Sequence, residues 1–390
     1  MYSSARATWI EARDDLTIRM SPFALEVLHV GKFYPPHPGG METHLRDLAT
    51  RQARSAQVKV VVANSGWHTE ASVVDGVSIT RVGKLASIAS MPICPGLVSA
   101  IRASPADLVH LHTPNPGAAL ALVRSGHRGQ LVVTHHADTI GRKFLRRLSD
   151  PFVVRMMQRA SRILVTSRRY LDSSPELAAF RNKCCIVPLG IDPAIATSIE
   201  PSALAGLRQQ FAGGFVLAVG RLVRYKGFDV LIRAMKRVDA KLVLIGTGPM
   251  QQELERLAIE EGVRERVQMP GRVDDTRPYF AAASLFVLPS VTRAEAFGIV
   301  QLEAMAAGLP VVNTNIDSAV PEVSIDGQTG ITVSPGDPEA LGRAIQTLLD
   351  RKDLRKSFGE AAKARVQAEY TADLMCARTM RIYEEVLHGP

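Results

Sequence analysis

The chain has 390 residues, 46% hydrophobic and 22% charged, a balance that excludes a disordered protein; 29 glycines and 23 prolines are too few for a collagen-like or low-complexity one. That length predicts two or three domains rather than one core. The net charge of +9 is lopsided: residues 1–190 carry 24 Lys and Arg against 13 Asp and Glu, and residues 191–390 carry 23 against 25.

In chain order, residues 1–21 lack periodicity and read as a disordered extension or as sequence ahead of a start at Met20. From Ala24 onward, short Val-, Ile- and Leu-rich runs alternate with amphipathic stretches. The first half offers strands at 24–30, 58–63, 77–82, 108–111, 131–134, 163–166 and 184–188. The second offers 215–219, 242–245, 267–269, 285–288, 310–313 and 331–333. Helices are predicted at 41–54, 338–350, 354–368 and 371–387. Continuous apolar strands separated by helices imply parallel sheets covered on both faces. Two such series predict an α/β chain of two doubly wound, Rossmann-like domains, 22–192 and 193–369, with a final helix at 370–390 that packs back on the first. Ligands bind beyond the C-terminal ends of such strands, so two facing sheets predict a cleft between the domains.

Cys94, Cys184, Cys185 and Cys376 include no CxxC pair and no histidine at metal-ligand spacing. They read as buried reduced thiols, with Cys184 and Cys185 on opposite faces of one strand. No apolar run reaches the roughly 18 residues of a membrane span, and no signal-peptide core follows the N-terminus, so a cytoplasmic protein is expected.

The most informative stretch is Leu288–Val312. A strand ends at Pro289, a loop carries Glu295, and a helix is predicted from Gly298 to Gly308 with Glu303 inside it. Amides of Phe297, Gly298 and Ile299 at a helix start suit an anion, and Gly298 would let a diphosphate approach the backbone. Two carboxylates beside an anion site suit hydroxyl-rich groups, although a surface Glu and a helix-face Glu explain the isolated pair as well. In Val216–Val230 a strand runs into a loop carrying Arg221 and Lys226, a cation pair suited to a diphosphate leaving group, or simply solvated. Gly246-Thr-Gly248-Pro249 is a second tight backbone approach. It lacks the third glycine of a dinucleotide fingerprint, and no P-loop is present.

In this order the segments resemble the retaining glycosyltransferases of family 4, whose GT-B architecture is two facing Rossmann-like domains with a cleft. The resemblance covers residues 24–387. It rests on V-G-R-L-x-x-x-K-G-F-D (219–229) and on E-A-F-G-I-V-Q-L-E-A-M-A-A-G-L-P-V-V (295–312), with Pro38-Gly-Gly40, Thr134-His-His-Ala-Asp138, Val187–Asp192 and Gly246–Pro249 in support. The resemblance implies that Arg221 and Lys226 bind the donor diphosphate, Glu295 the sugar hydroxyls and Glu303 the ribose. Phe297 and Gly298 would supply backbone contacts, with Gly248 nearby. Gly39 and Gly40 would form a mobile loop at the phosphates, and His136 would lie near the reacting carbon. His136, Glu295, Arg221 and Lys226 thus form the implied catalytic set, and Asp138, Arg142 and Lys143 the acceptor side.

Plainer readings stand beside these. Gly39-Gly40 also fits a turn, His136 a satisfied strand-end histidine, His135 a structural role, and Asp138 either support for His136 or acceptor contact. His110 and His112 share one strand face, but no third metal ligand is evident. The family's Gly-Gly loop after its P-V-V strand is replaced here by Ile316-Asp-Ser-Ala-Val-Pro-Glu322, which weakens any inference about the sugar.

The donor implied is a nucleotide-diphosphate sugar, GDP-mannose or a UDP-sugar, with no metal or other cofactor required. The basic segment 142–169 fits a solvated helix face or attraction to anionic lipid and a lipid-linked diphosphate acceptor, peripheral on the inner face of the plasma membrane. No nucleic-acid-reading motif accompanies it. The expected function is hexose transfer, mannose-type, in surface polysaccharide synthesis. A GT-B nucleotide-sugar epimerase and a non-catalytic sugar-nucleotide or lipid-surface binding protein are the alternatives.

Overall fold

The computed structural model describes residues 25–37, 39–88, 91–138, 143–196 and 199–389, without the side chains of residues 143–149. The predicted extension and Arg142 lie outside the described residues, and of Lys143 only the helical backbone is described.

The first half contributes β1 (Glu26–Val30), β2 (Gln57–Ala63), β3 (Glu70–Val74), β4 (Val77–Val82), a hairpin of β5 (Ala86–Ile88) and β6 (Met91–Ile93), β7 (Leu108–Thr113), β8 (Gln130–His135), β9 (Arg162–Val165) and β10 (Cys184–Ile186). Apart from the hairpin they form one sheet in the order β10-β9-β8-β7-β1-β2-β4-β3, parallel except for β3. The second half builds a parallel sheet from β11 (Phe215–Val219), β12 (Lys241–Ile245), β13 (Val267–Gly271), β14 (Leu285–Leu288), β15 (Val311–Thr314) and β16 (Gly330–Val333), in the order β13-β12-β11-β14-β15-β16. Every predicted strand is present: the central ones, such as β7 and β14, are apolar runs buried on both faces, and the outer ones, such as β10 and β16, are only partly buried. The ones sequence reading missed, β3 and the hairpin, have almost no buried side chains: Val73 is 72% exposed.

On one face of the first sheet Leu28, Val109, Leu131 and Ile163 pack against Leu122 and Met156 of two covering helices. On the other, Val27, Leu108, Val132 and Leu164 lie beneath Leu48 of the Gly40–Gln52 helix and beneath Met375 and Tyr383 of the last helix, Ala372–His388. The chain thus leaves the first lobe at Ile191 and returns beside it, Ile191 bridging Thr371. Arg51 ties the two crossings by pairing with Asp192 at 3.3 Å and Asp373 at 2.8 Å. Cys184 and Cys185 pack on opposite faces as expected, but all four cysteines are half-buried rather than buried; for Cys184 and Cys185 the reason is that β10 is an edge strand.

Both sheets reverse strand order at one place, between β1 and β7 in the first and between β11 and β14 in the second. Such switch points open the crevices in which ligands bind.

Candidate functional site

In the second lobe, the loop after β11 is laced to the loop after β14. Val291 N–H donates to Tyr225 O at 2.8 Å, and Gly227 has φ +68° with its absent Cβ only 2.1 Å from Pro289 O, so no side chain fits there. This lacing sets Lys226 Nζ against Glu295 Oε2, each residue 8% exposed, and Ser290 Oγ donates to the same oxygen at 3.2 Å. Burial pulls the Lys226 pKa down, but the Glu295 carboxylate and Tyr225 more than offset it, and the ammonium is held above its usual value. Glu295 Oε1 has no partner among the described residues. Arg221 is exposed and pairs with no described carboxylate. One cation is therefore stored against a carboxylate and the other stands open.

Gly246 and Gly248 would place a Cβ 1.9 Å from Gly220 O and 2.4 Å from Leu222 O, so they hold the next loop against Arg221. Gly298 is required by its own backbone: φ is +70° and a Cβ would meet Leu288 Cδ2 at 2.6 Å. The helix after it is shorter than predicted, Val300–Ala306, because the chain at Gly298 turns left-handed and the helical hydrogen bonds begin only beyond it. Phe297 is buried in the second core beside Leu302 and Tyr370. Glu303 is half-buried beside Ile195 and Ala196; burial raises its carboxyl to about 7, and Asp47 of the first lobe adds to the shift.

The two lobes meet at this loop. Adjacent residues belong to different cores, Ala296 to the first lobe with Ala137 and Phe297 to the second. A Cβ on Gly40, at the start of the Gly40–Gln52 helix, would lie 3.7 Å from Ile299 Cγ2, and one on Gly39 would overlap Glu42 Oε2 at 2.1 Å. The Gly39-Gly40 pair therefore stands where the opposite lobe presents the Glu295–Ile299 loop.

Asp138 is spoken for. It accepts from His135 Nε2 at 3.0 Å and Ser174 Oγ at 2.5 Å, and pairs with Arg293 of the opposite lobe, whose guanidinium lies over Tyr170. Burial would raise the Asp138 carboxyl; these hydrogen bonds and Arg293 hold it below its usual range instead. It makes no bond to His136. A second link joins Arg169 to Asn315 Oδ1 at 2.8 Å and Asp317 at 3.1 Å, while the Arg169 amide donates to Glu322 Oε1 at 2.8 Å. The segment that departs from the family pattern is thus an interlobe contact. Within the basic segment, Arg159 donates to Gly129 O at 2.9 Å and Arg168 pairs with Asp172 at 3.1 Å, so much of its charge is already engaged. Among the described residues no helix is long and apolar enough to cross a membrane.

His136, 6% exposed, follows β8. Its Nε2 lies 3.2 Å from His112 Nδ1, His112 Nε2 lies 3.1 Å from His29 Nδ1, and His29 Nε2 lies 2.6 Å from Gln52 Oε1. Alongside, His110 bonds Tyr383 OH at 2.5 Å and Thr134 Oγ1 at 2.6 Å. The pair His110 and His112 therefore does gain companions: His29, His44 and His136 converge on them from β1, a helix and the end of β8, which sequence spacing does not show. Burial depresses every one of these imidazoles, His29 to about 4, His44 to about 3, and His110, His112 and His136 well below the usual value, so all are neutral near pH 7. The signal that would have found His29 was strand parity. It pairs directly with His110 across β1 and β7, as His112 pairs with Thr134 across β7 and β8.

Residues 38–195 match the family described as Glycosyltransferase Family 4, and residues 212–365 that described as Glycosyl transferases group 1. The D-rhamnosyltransferase WbpZ of Pseudomonas aeruginosa is 32% identical over 272 residues, 69% of this chain and 71% of that protein. The O-antigen chain mannosyltransferase C of Escherichia coli is 27% identical over 371 residues, 94% of this chain and all of its own. Among solved structures, sucrose-phosphate synthase from Thermosynechococcus elongatus superposes with a TM-score of 0.78 at 21% identity, covering 94% of this chain and 100% of that one. Anabaena HepE in complex with UDP-glucose gives 0.75 at 20% identity, covering 92% and 100%.

Proposed function

This chain belongs to the family 4 glycosyltransferases, two-lobed GT-B enzymes, and from that premise we propose that it transfers a mannose-type hexose, with retention, from a nucleotide-diphosphate sugar to a hydroxyl of a lipid-linked acceptor in surface polysaccharide synthesis. The observation that carries the reading is the buried Lys226–Glu295 pair, set at the β11/β14 switch point beside open Arg221, in a loop whose Ile299 meets Gly40 of the other lobe. The mannose preference is supported by relatives named as mannosyltransferases, among them a GDP-mannose-dependent phosphatidylinositol monomannoside mannosyltransferase of Corynebacterium glutamicum, 28% identical over 389 residues. That relative also supports the lipid-linked acceptor.

The diphosphate takes Arg221 first, since that side chain pairs with no described carboxylate, and then draws Lys226 from Glu295. A protonated Lys226 and Arg221 together stabilise the charge that develops on the leaving phosphate. Glu295, with Oε1 open, accepts sugar O–H groups, and half-buried Glu303 does the same for the ribose. His136 sits at the sugar with Gly39 and Gly40 over the phosphates. In this reading no described carboxylate acts as a nucleophile: Asp138 is held by Arg293, and Glu295, bonded by Ser290, is taken up by the sugar hydroxyls. The acceptor hydroxyl therefore attacks the face the diphosphate leaves, and a phosphate oxygen takes its proton. Pairing of Asp138 with Arg293 and of Arg169 with Asp317 closes the lobes and excludes water.

The test is a thermal-shift screen of GDP, UDP, ADP and their sugars, followed by product analysis with lipid and soluble acceptors. A nucleoside diphosphate raises the melting temperature, and the product keeps the anomeric configuration of the donor sugar. Full transfer by Glu295→Ala overturns the mechanism, and epimerised nucleotide sugar formed without acceptor favours the epimerase reading.

A further inference from the structure

Gln52, His29, His112 and His136 form a continuous file of side chains under the cleft, with three successive contacts of 2.6, 3.1 and 3.2 Å. Gln52 and His29 are 0% exposed, His112 3% and His136 6%. None of them except His136 enters the function proposed above. They come from three strands or strand ends and one helix, and the helix is the one whose first residue, Gly40, meets the opposite lobe.

A neutral imidazole carries one N–H and one lone pair. In an unbroken file each ring must donate on one side and accept on the other, so the whole file has only two proton arrangements, and its end group selects between them. The Gln52 carbonyl oxygen faces His29 and can only accept. His29 therefore donates from Nε2 and accepts at Nδ1, His112 donates from Nε2 and accepts at Nδ1, and His136 donates from Nε2. What is left at the cleft end is His136 Nδ1 as a bare lone pair, and this atom has no hydrogen bond among the described residues.

We propose that Gln52, His29 and His112 are positioning residues that fix His136 in its Nε2–H tautomer, so that His136 Nδ1 accepts a hydrogen bond from a hydroxyl of the bound sugar. This role for His136 rests on the glycosyl-transfer reading; the tautomer itself does not. The opposite tautomer would present an N–H to the same hydroxyl, which would have to turn its own proton away. A chain of neutral rings conveys orientation from a buried amide to the cleft without placing an ion in the core.

The competing use of these rings is metal ligation. Nitrogens of His44, His112 and His136 lie within 4.8 Å of one another, and both His44 nitrogens are buried without a partner. A metal there needs lone pairs on two or more of these rings. His112 Nδ1 and His136 Nε2 are joined in the file by a contact at 3.2 Å, so an intact file and a metal bound to both of those atoms exclude each other.

The experiment is side-chain 15N NMR of histidine-labelled protein without substrate, with His136→Gln used to assign the resonance, alongside elemental analysis of the purified protein. The expected result is His136 protonated on Nε2 and bare on Nδ1 between pH 6.5 and 8, with less than one tenth of a divalent metal per chain. In Gln52→Leu the signal moves toward a mixture of tautomers, and kcat falls about tenfold with the donor KM within about twofold. His136 protonated on Nδ1 in the wild type overturns the proposal, as does a bound metal whose removal by a chelator shifts the His136 resonance, or an unchanged tautomer in folded Gln52→Leu. Should Gln52→Leu fail to fold, the wild-type spectrum alone decides. A correct tautomer in a protein that transfers no sugar counts against the proposed function and leaves the file standing.

Discussion

The two sheets end on one cleft but treat the polar groups at their ends in opposite ways. The first lobe buries neutral rings: nine of the ten histidines precede residue 191, and five of them share one buried cluster. The second sheet has no histidine and buries a full ion pair, Lys226 with Glu295, between loops held together by glycine. Neutral rings keep their hydrogen bonds only while they stay uncharged. A buried ion pair has already lost its water, so an incoming anion that takes the lysine meets a desolvated cation. One lobe is therefore built to hold a geometry and the other to exchange a partner.

Acid is the strongest way to break that contrast. The folded-state pKa values of the buried histidines lie below the unfolded value near 6.5, so the stability they confer is present above pH 6.5 and is lost as pH falls below it. Each costs up to about 1.4 kcal/mol per pH unit there. Limited proteolysis with peptide mapping at pH 7.5 and 5.5 should show residues 26–190 opening first. Simultaneous loss of both lobes would mean that the histidine cluster does not govern acid stability.

Lys226→Met tests the other side. It strands a buried carboxylate, and urea unfolding should show a loss of about 3–5 kcal/mol, with transfer reduced about 10²–10³-fold. Adding Glu295→Gln should restore most of the stability and none of the transfer. Recovery of both together would show that the pair is only structural.

Glycine substitutions give a smaller, sharper comparison. Gly298→Ala forces a side chain into φ +70° against Leu288 and should cost about 2 kcal/mol in urea unfolding. Gly40→Ala meets Ile299 only at 3.7 Å and should change stability by less than about 0.5 kcal/mol.

A smaller, pH-dependent effect than that at Gly298 is expected at Glu303. Its folded-state pKa of about 7 is raised, so the stability it confers is complete below the unfolded value near 4.5 and lost as pH rises through about 7. Glu303→Gln should therefore raise stability by about 1 kcal/mol at pH 8 and leave it unchanged at pH 4.5, read by paired thermal melts. Equal effects at both pH values would place Glu303 in solvent.

Much of this was legible beforehand for a definite reason. The strands of both sheets are runs such as Val58–Ala63 and Phe215–Val219, apolar on both faces, and such runs announce themselves locally. The exposed strand β3, EASVV, carries no such signal. Glu295, Lys226 and Arg221 stood out because each leaves a strand end inside a recognisable motif. Arg293, a single residue in the same motif, did not, because its partner Asp138 lies 155 residues earlier in the other lobe.

The sequence by itself determined the periodicity, the two sheets and the family's glycine and charge spacings, since these depend on neighbours within one element or one loop. Tertiary structure alone decided which charges are spent and which are open. Lys226 and Glu295 become a pair only when the loops after β11 and β14 are laced, and Asp138 becomes a latch only when Arg293 arrives. His29, His112 and His136 become a file only once β1, β7 and β8 align in register. Hydrogen bonds and ion pairs act over about 3 Å, and only the folded chain brings groups so far apart in sequence within that reach.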